Sequence, residues 1–221
     1  TIENCNFKQN STKALEGGAL WLGVAGEVKI KNSIFCGNSA NTEGAQGTGA
    51  GGAMRVAAAS KVFIEGCYFS ENSTKKGGGA IELETGNEYF LKNCVFSNNH
   101  CYDGGSAALP SGGALSVASG IIHAENCKFY GNEGGYFGAV GMLNNHQTGE
   151  STFDRCEFTN NKAKQNGAAI GVRDPAFTVL VTNSTFTNNE AGNDGGVFYV
   201  NTLGKFILKN NTFIGNKAAS K

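Results

Sequence analysis

A four-residue pattern, Phe-x-x-Asn, recurs eight times in the 221 residues and constrains the fold more than any other feature. Copies begin at Phe7, Phe35, Phe69, Phe96, Phe129, Phe158, Phe186 and Phe213, at intervals of 28, 34, 27, 33, 29, 28 and 27 residues. A second pattern, Gly-Gly-Ala-aliphatic, falls between them. It is clear at Gly17-Gly18-Ala19-Leu20, Gly51-Gly52-Ala53-Met54, Gly78-Gly79-Ala80-Ile81 and Gly112-Gly113-Ala114-Leu115. Worn copies follow at Phe137-Gly138-Ala139-Val140, Gly167-Ala168-Ala169-Ile170 and Gly195-Gly196-Val197-Phe198. A period of this length signals one supersecondary unit stacked on copies of itself.

Within each unit the apolar residues alternate with period two, the mark of strands. After the glycine pair come inward positions such as Ile81 and Leu83, Leu115 and Val117, or Ile170 and Val172. A second strand, five and seven residues before each phenylalanine, supplies Val28 with Ile30, Val62 with Ile64, Tyr89 with Leu91, and Val179 with Val181. A third, very short strand holds the phenylalanine and the residue two before it. No unit contains a helix-length apolar period, which excludes leucine-rich and helical repeats. Each strand finds its partner in the equivalent strand of the next coil, about 4.8 Å away. The expected fold is an all-β, right-handed, single-stranded parallel β-helix of about eight coils with three short strands per coil. Residues 1–221 form one continuous domain. Because Thr1 begins inside a repeat, the chain reads as a segment of a longer protein.

Stacking turns each consensus position into a ladder. Asn10, Asn38, Asn72, Asn99, Asn132, Asn161, Asn189 and Asn216 form one at a turn, where their amides satisfy backbone groups that would otherwise be buried unpaired. A looser ladder runs through Asn4, Asn32, Asn93, Asn126, Asn183 and Asn210. Glycosylation sequons begin at Asn10, Asn72, Asn183 and Asn210, all on these ladders, so glycosylation is the weaker reading, mainly for Asn183 and Asn210. Cys5, Cys67, Cys94, Cys127 and Cys156 sit two residues before a phenylalanine, where Ser33, Ser184 and Asn211 replace them. That exchange marks a small inward site, and a buried free cysteine serves as a small apolar filler. Vertical disulfides between rungs stay open as an alternative, although in-register strands aim neighbouring Cβ atoms the same way. Cys36 and Cys101 fall off the ladder and are the expected reactive thiols.

Eighteen basic and eighteen acidic residues cancel, which argues against nucleic acid or an anionic membrane held by bulk charge. No apolar stretch approaches the ~20 residues that span a bilayer, so no direct membrane insertion is expected. With 33 glycines and two prolines the chain favours frequent turns that need positive φ. No Cys-x-x-Cys pair occurs, and no cofactor is implied.

The alternation of Phe-x-x-Asn with Gly-Gly-Ala-aliphatic over nearly the whole chain resembles the passenger domains of the chlamydial polymorphic outer membrane proteins. That resemblance implies a surface-exposed β-helix of the autotransporter type, associated with adhesion to host cells. The expected partner is then a protein or glycan at a cell surface.

Three surfaces are candidates for binding. The outward row after the glycine pair reads Trp21, Arg55, Glu82, Ser116, Gly141, Gly171 and Tyr199, with Arg55 and Glu82 forming a surface ion pair on adjacent rungs. The outward position six residues before the phenylalanine holds Phe63, Phe90, Leu180 and Ile207 where polar residues are expected. Two long insertions, Ser39 to Ala50 and His100 to Ser111, leave the same corner in coils two and four, the second carrying Cys101, Tyr102 and Asp103. No paired carboxylates or polygalacturonase signatures stand out, and His100, His123 and His146 read as solvated surface residues. The leading reading is therefore a non-enzymatic, extracellular or cell-surface, adhesin-like scaffold. The alternatives are a structural filament or coat subunit stacking end to end on other copies of itself, and a polysaccharide-cleaving β-helix enzyme.

Overall fold

A computed structural model describes residues 1–13, 16–23, 26–40, 49–58, 61–84, 87–102, 111–143, 149–173, 178–201 and 204–219, the side chain at 87 excepted. Its strands form four parallel sheets, each built from equivalent segments of successive coils. Sheet 1 has eight strands, from Ile2–Glu3 through Glu27–Lys31, Lys61–Glu65 and Asn87–Lys92 to Lys205–Lys209. Sheet 2, also of eight, carries the phenylalanines, from Asn6–Lys8 to Thr212–Ile214. Sheet 3 comprises eight two-residue strands, from Ser11–Thr12 to Lys217–Ala218. Sheet 4 follows the glycine pairs, with seven strands from Leu20–Gly23 to Phe198–Asn201.

The chain is thus a parallel β-helix of eight coils, with four strands per coil rather than three. Sheet 3 is the addition. It pairs in register, as Ser73 with Ser39 and His100 show, but two residues are too short to display alternation in a sequence. The short strand of sheet 2 also begins one residue before the phenylalanine, so the cysteine two before it lies in the turn between sheets 1 and 2.

One continuous core fills the solenoid. Seven consecutive phenylalanine pairs, from Phe7 to Phe213, stack with ring centroids 4.6–5.2 Å apart. Beside them the inward residues of sheets 1 and 4 are buried, among them Ile30, Ile64, Leu91, Ile81, Leu115 and Ile170. Both turns flanking sheet 2 use left-handed backbone. Asn4, Asn32, Gly66, Asn93, Asn126, Arg155, Asn183 and Asn210 hold φ between 46° and 62° at one. Gln9, Gly37, Glu71, Asn98, Gly131, Asn160, Asn188 and Gly215 do so at the other. Asparagine and glycine adopt this region at least cost, so the looser asparagine ladder is a backbone requirement.

The second glycine of the pair answers a different demand. A Cβ at Gly52 would lie 2.1 Å from the Gly79 carbonyl oxygen, and one at Gly79 1.9 Å from that of Gly113. Successive coils approach backbone to backbone here and leave no room for a side chain.

The main asparagine ladder closes the turn between sheets 2 and 3. Asn72 Nδ2 donates to Asn99 Oδ1 at 2.9 Å and to the Phe35 carbonyl at 2.9 Å, while Asn72 N donates to the same Asn99 Oδ1 at 3.0 Å. The arrangement repeats from Asn10 to Asn216. Asn38 through Asn189 are fully buried, so the Asn72 sequon is closed to glycosylation, whereas Asn183 and Asn210 are exposed.

All seven cysteines are free thiols. Ladder thiols hydrogen-bond to the carbonyl two residues before, as Cys67 and Cys94 do at 3.3 Å, and Ser33 and Ser184 use their hydroxyls the same way at 2.7 and 2.8 Å. Burial pushes the Cys67 thiol up to about 11. Hydrogen bonding to Cys156, together with burial, lifts Cys127 to about 12, and Cys127 and burial raise Cys94 further still. Cys101 is corrected. It stands in register with Thr74 and is fully buried, so it is not a reactive surface thiol. Titration of the native protein with an aromatic disulfide reagent is expected to modify Cys36 and Cys5, both partly exposed, quickly. Cys67, Cys94, Cys101, Cys127 and Cys156 react only after denaturant is added, because burial denies the reagent access to their sulfurs.

Candidate functional site

The outer face of sheet 1 is where the structure gathers the sequence candidates most closely. After the two-residue Ile2–Glu3, the strands here are five or six residues long, so three outward columns run along the solenoid axis. The middle column reads Lys29, Phe63, Phe90, His123, Thr152, Leu180 and Ile207. Phe63 and Phe90 stack at 4.8 Å, and His123 stacks on Phe90 at 5.0 Å. Lys29 reaches over the far face of Phe63 at 6.0 Å, and His123 Nδ1 meets Thr152 Oγ1 at 3.0 Å. Burial holds the His123 imidazole below its ordinary pKa, against the opposing pull of Glu88 and Glu150, so the ring is neutral at pH 7. A shallow depression of about 270 Å³ lies over Phe63, Phe90 and His123.

Charged columns flank this stripe. On one side stand Glu27, Lys61, Glu88, Ile121 and Glu150, and on the other Lys31, Glu65, Lys92, Glu125 and Asp154. Neighbours within a column pair across the rungs: Lys61 with Glu88 at 3.1 Å, Lys31 with Glu65 at 3.3 Å and Lys92 with Glu125 at 3.3 Å. Arg155 adds a 2.7 Å contact to Glu125, and these cations hold the Glu125 carboxyl below the usual range.

His123 and Lys29 share this column with Phe63 and Phe90, and both stand six residues before a ladder phenylalanine. The spacing contained that signal. What it lacked was the stacking, which depends on the in-register pairing of adjacent coils.

The outer row of sheet 4 behaves differently from expectation. Trp21 is 58% exposed, its indole lying across Gly23. Arg55 on the next rung ion-pairs with Glu16 and Glu84, not with Glu82. Glu82 itself is buried, so the expected surface ion pair is replaced by a sealed carboxyl that accepts a 2.8 Å hydrogen bond from Gly78 N–H. Burial pushes its pKa up to about 8, outweighing the Ser116 hydroxyl, the Gly78 N–H and Arg55, while Glu84 adds to the rise. Ser116, Gly141 and Gly171 are buried as well. Phe137, which replaces a motif glycine, is fully buried outside the solenoid core, and a Cβ at Gly171 would lie 1.8 Å from its ring. Tyr199 joins that cover at 6.0 Å from Phe137 and 6.3 Å from Tyr136. These residues form a structural flap rather than a continuation of the Trp21 surface.

Of the insertion residues, Tyr102 is exposed and stacks on His100 at 4.1 Å, while its carbonyl accepts from Lys164 Nζ at 3.1 Å. His100 is therefore half-buried against an aromatic ring. Asp103, His146 and most of both insertions lie outside the described residues. Among the described residues no group of three or more His, Cys, Asp or Glu side chains could hold a metal ion, and no helix is long and apolar enough to cross a membrane.

Chemically, the sheet 1 face offers a flat row of aromatic rings between charged columns. The rings stack face to face, so their faces are occupied by one another and by Lys29, and ring edges point outward. Stacking a sugar ring needs a free aromatic face, whereas a flat apolar stripe between charged rows suits a protein surface.

Four parallel sheets wound around one core define the parallel β-helix class. The family described as "Right handed beta helix region" matches residues 1–218, and the chain belongs to it. No curated protein and no solved structure matches the chain.

Proposed function

We propose that this chain is a non-enzymatic β-helix scaffold of the extracellular or cell-surface kind, adhesin-like, with the outer face of sheet 1 as its contact surface. The observation that carries this reading is the stack of Phe63, Phe90 and His123 on a flat sheet face between two rows of charge. An apolar stripe of this kind is costly to leave in water on a monomer without use. The resemblance of the repeats to chlamydial surface passengers supports the location and the adhesive role. Support for a non-catalytic role comes from Glu82, among the described residues the one carboxyl raised far above its usual range, which is sealed from solvent and unable to reach a substrate.

The test is binding of the purified chain, labelled at its N-terminus, to cultured epithelial cells, read by flow cytometry. Saturable binding is expected, and Phe63→Ser/Phe90→Ser is expected to weaken it at least tenfold while far-UV circular dichroism stays unchanged. Equal binding by both proteins would move the contact off sheet 1. No binding by the wild-type chain would remove the adhesive reading.

A further inference from the structure

The charges flanking the aromatic stripe alternate in a way that a second copy of the same face can read. Along one column the order is Glu27, Lys61, Glu88; along the other it is Lys31, Glu65, Lys92, Glu125. Consider a two-fold axis parallel to the strands, passing between the strand Lys61–Glu65 and the strand Asn87–Lys92. It lays two sheets face to face with their solenoid axes antiparallel. Each column then faces its own counterpart with the rung order reversed.

Phe63 meets Phe90 of the second copy, and Lys61 meets Glu88. Glu65 meets Lys92, and Lys31 meets Glu125. Counting both copies, six opposite-charge contacts surround four phenylalanines. The neutral His123 meets Lys29 without repulsion. Only Glu3 and Asp154, at the periphery, bring like charges together, and Arg155 sits beside Asp154 at 2.5 Å to offset them. The other face-to-face two-fold, along the solenoid axis, also makes six opposite-charge contacts, through Glu27 with Lys31, Lys61 with Glu65 and Glu88 with Lys92, but it adds more like-charge ones. It sets Lys29 against itself, Glu150 against Asp154 and Lys205 against Lys209.

We propose that the outer face of sheet 1 is an isologous interface through which two copies of this chain dimerise antiparallel. The inference rests on the reading of sheet 1 as the contact face and names its partner. A self-complementary patch of this kind is what a two-fold interface requires. Within the chain, Glu65 pairs with Lys31, Lys92 with Glu125 and Lys61 with Glu88, so the contacts to the second copy would extend these pairs into networks.

The area sets the strength. Five residues of strand span about 16 Å and six rungs about 29 Å, giving on the order of 450 Å² per copy. That is roughly half of a standard interface, so the dimer is weak, with a dissociation constant on the order of 10 µM or higher. Arrays of such rods on facing surfaces would gain from many weak contacts at once.

Sedimentation velocity from about 5 to 500 µM, at low salt and at 0.5 M NaCl, tests the proposal on the whole chain. A monomer–dimer equilibrium that weakens severalfold in high salt is expected, since the exposed charges are screened. Lys61→Glu/Lys92→Glu makes the centre of the face acidic, and Glu65→Lys/Glu88→Lys makes it basic. Each variant alone is expected to stay monomeric, while their equimolar mixture forms a heterodimer at least tenfold tighter than either self-association. All four side chains are solvent-exposed or nearly so, and the wild-type salt series gives a readout that needs no variant. A wild-type chain monomeric throughout overturns the proposal. So does association indifferent to the charge reversals, which would locate contact at the coil ends. A monomer that still binds cells sinks this proposal alone and leaves the adhesive reading standing.

Discussion

Asn99→Ala is expected to destabilise the protein by about 4 kcal/mol, far beyond the ordinary loss from a surface asparagine. The side chain makes four hydrogen bonds. It donates to the Phe69 carbonyl and Asn132 Oδ1, each at 3.0 Å, and accepts from Asn72 N and Nδ2 at 3.0 and 2.9 Å. All the partners belong to buried ladder or core positions, where water cannot replace the missing amide. Removing it strands several groups in the interior, at about 1–3 kcal/mol for each group left unpaired. The expected fall in melting temperature is roughly 10 °C, on the scale of 2–4 °C per kcal/mol for a chain of this size. Thermal denaturation followed by circular dichroism checks it. A loss below 1 kcal/mol would mean that the ladder relaxes around the gap. Asn216 supplies the control, because its side chain makes three such hydrogen bonds, to Asn189 N and Nδ2 and the Phe186 carbonyl, and lies half-buried.

Glu82 is expected to make stability fall as pH rises. Its folded pKa stands at about 8 against an ordinary 4.5, because burial disfavours the carboxylate. Below 4.5 both folded and unfolded chains are protonated, and this contribution is fully present. Between 4.5 and 8 the unfolded chain releases its proton first, so stability declines through that window and levels off above it. The total decline is roughly 5 kcal/mol. Arg55 from the preceding rung, Ser116 from the following one, Gly78 N–H and Glu84 face the carboxyl, and Tyr89 also senses its charge. His100 and His123, both lowered by burial, act in the opposite direction near neutral pH. The difference between wild type and Glu82→Gln isolates the effect. The two should be equally stable at pH 4.5, with the glutamine variant ahead by a few kcal/mol at pH 8.5 in urea unfolding. Parallel pH profiles would show that the carboxyl reaches water.

The candidate site was partly legible. Phe63 and Phe90 stood out as apolar residues at outward positions, and the structure stacks them on the exposed face of sheet 1. Arg55 and Glu82 also occupied outward positions, yet Glu82 is sealed and Arg55 turns to Glu16 and Glu84. Both pairs look alike in sequence. The pleat decides which way a side chain points from its immediate neighbours, but not what covers it. Covering segments come from other coils, as Phe137 over Gly171 shows.

What the sequence by itself determined is whatever repeats: the β-helix, the stacked phenylalanines, the buried asparagine ladder and the inward cysteine positions. These follow from period-two alternation and equal spacing, and in-register stacking multiplies every local preference eightfold along the axis. Only the tertiary structure decided the fourth sheet, the left-handed column containing Glu71 and Asn98, and the wet or dry state of each outer face. Two-residue strands carry no readable period, and burial of an outward residue depends on chain remote in sequence. Alternation is local, whereas solvent exclusion is set by whichever coil lies on top.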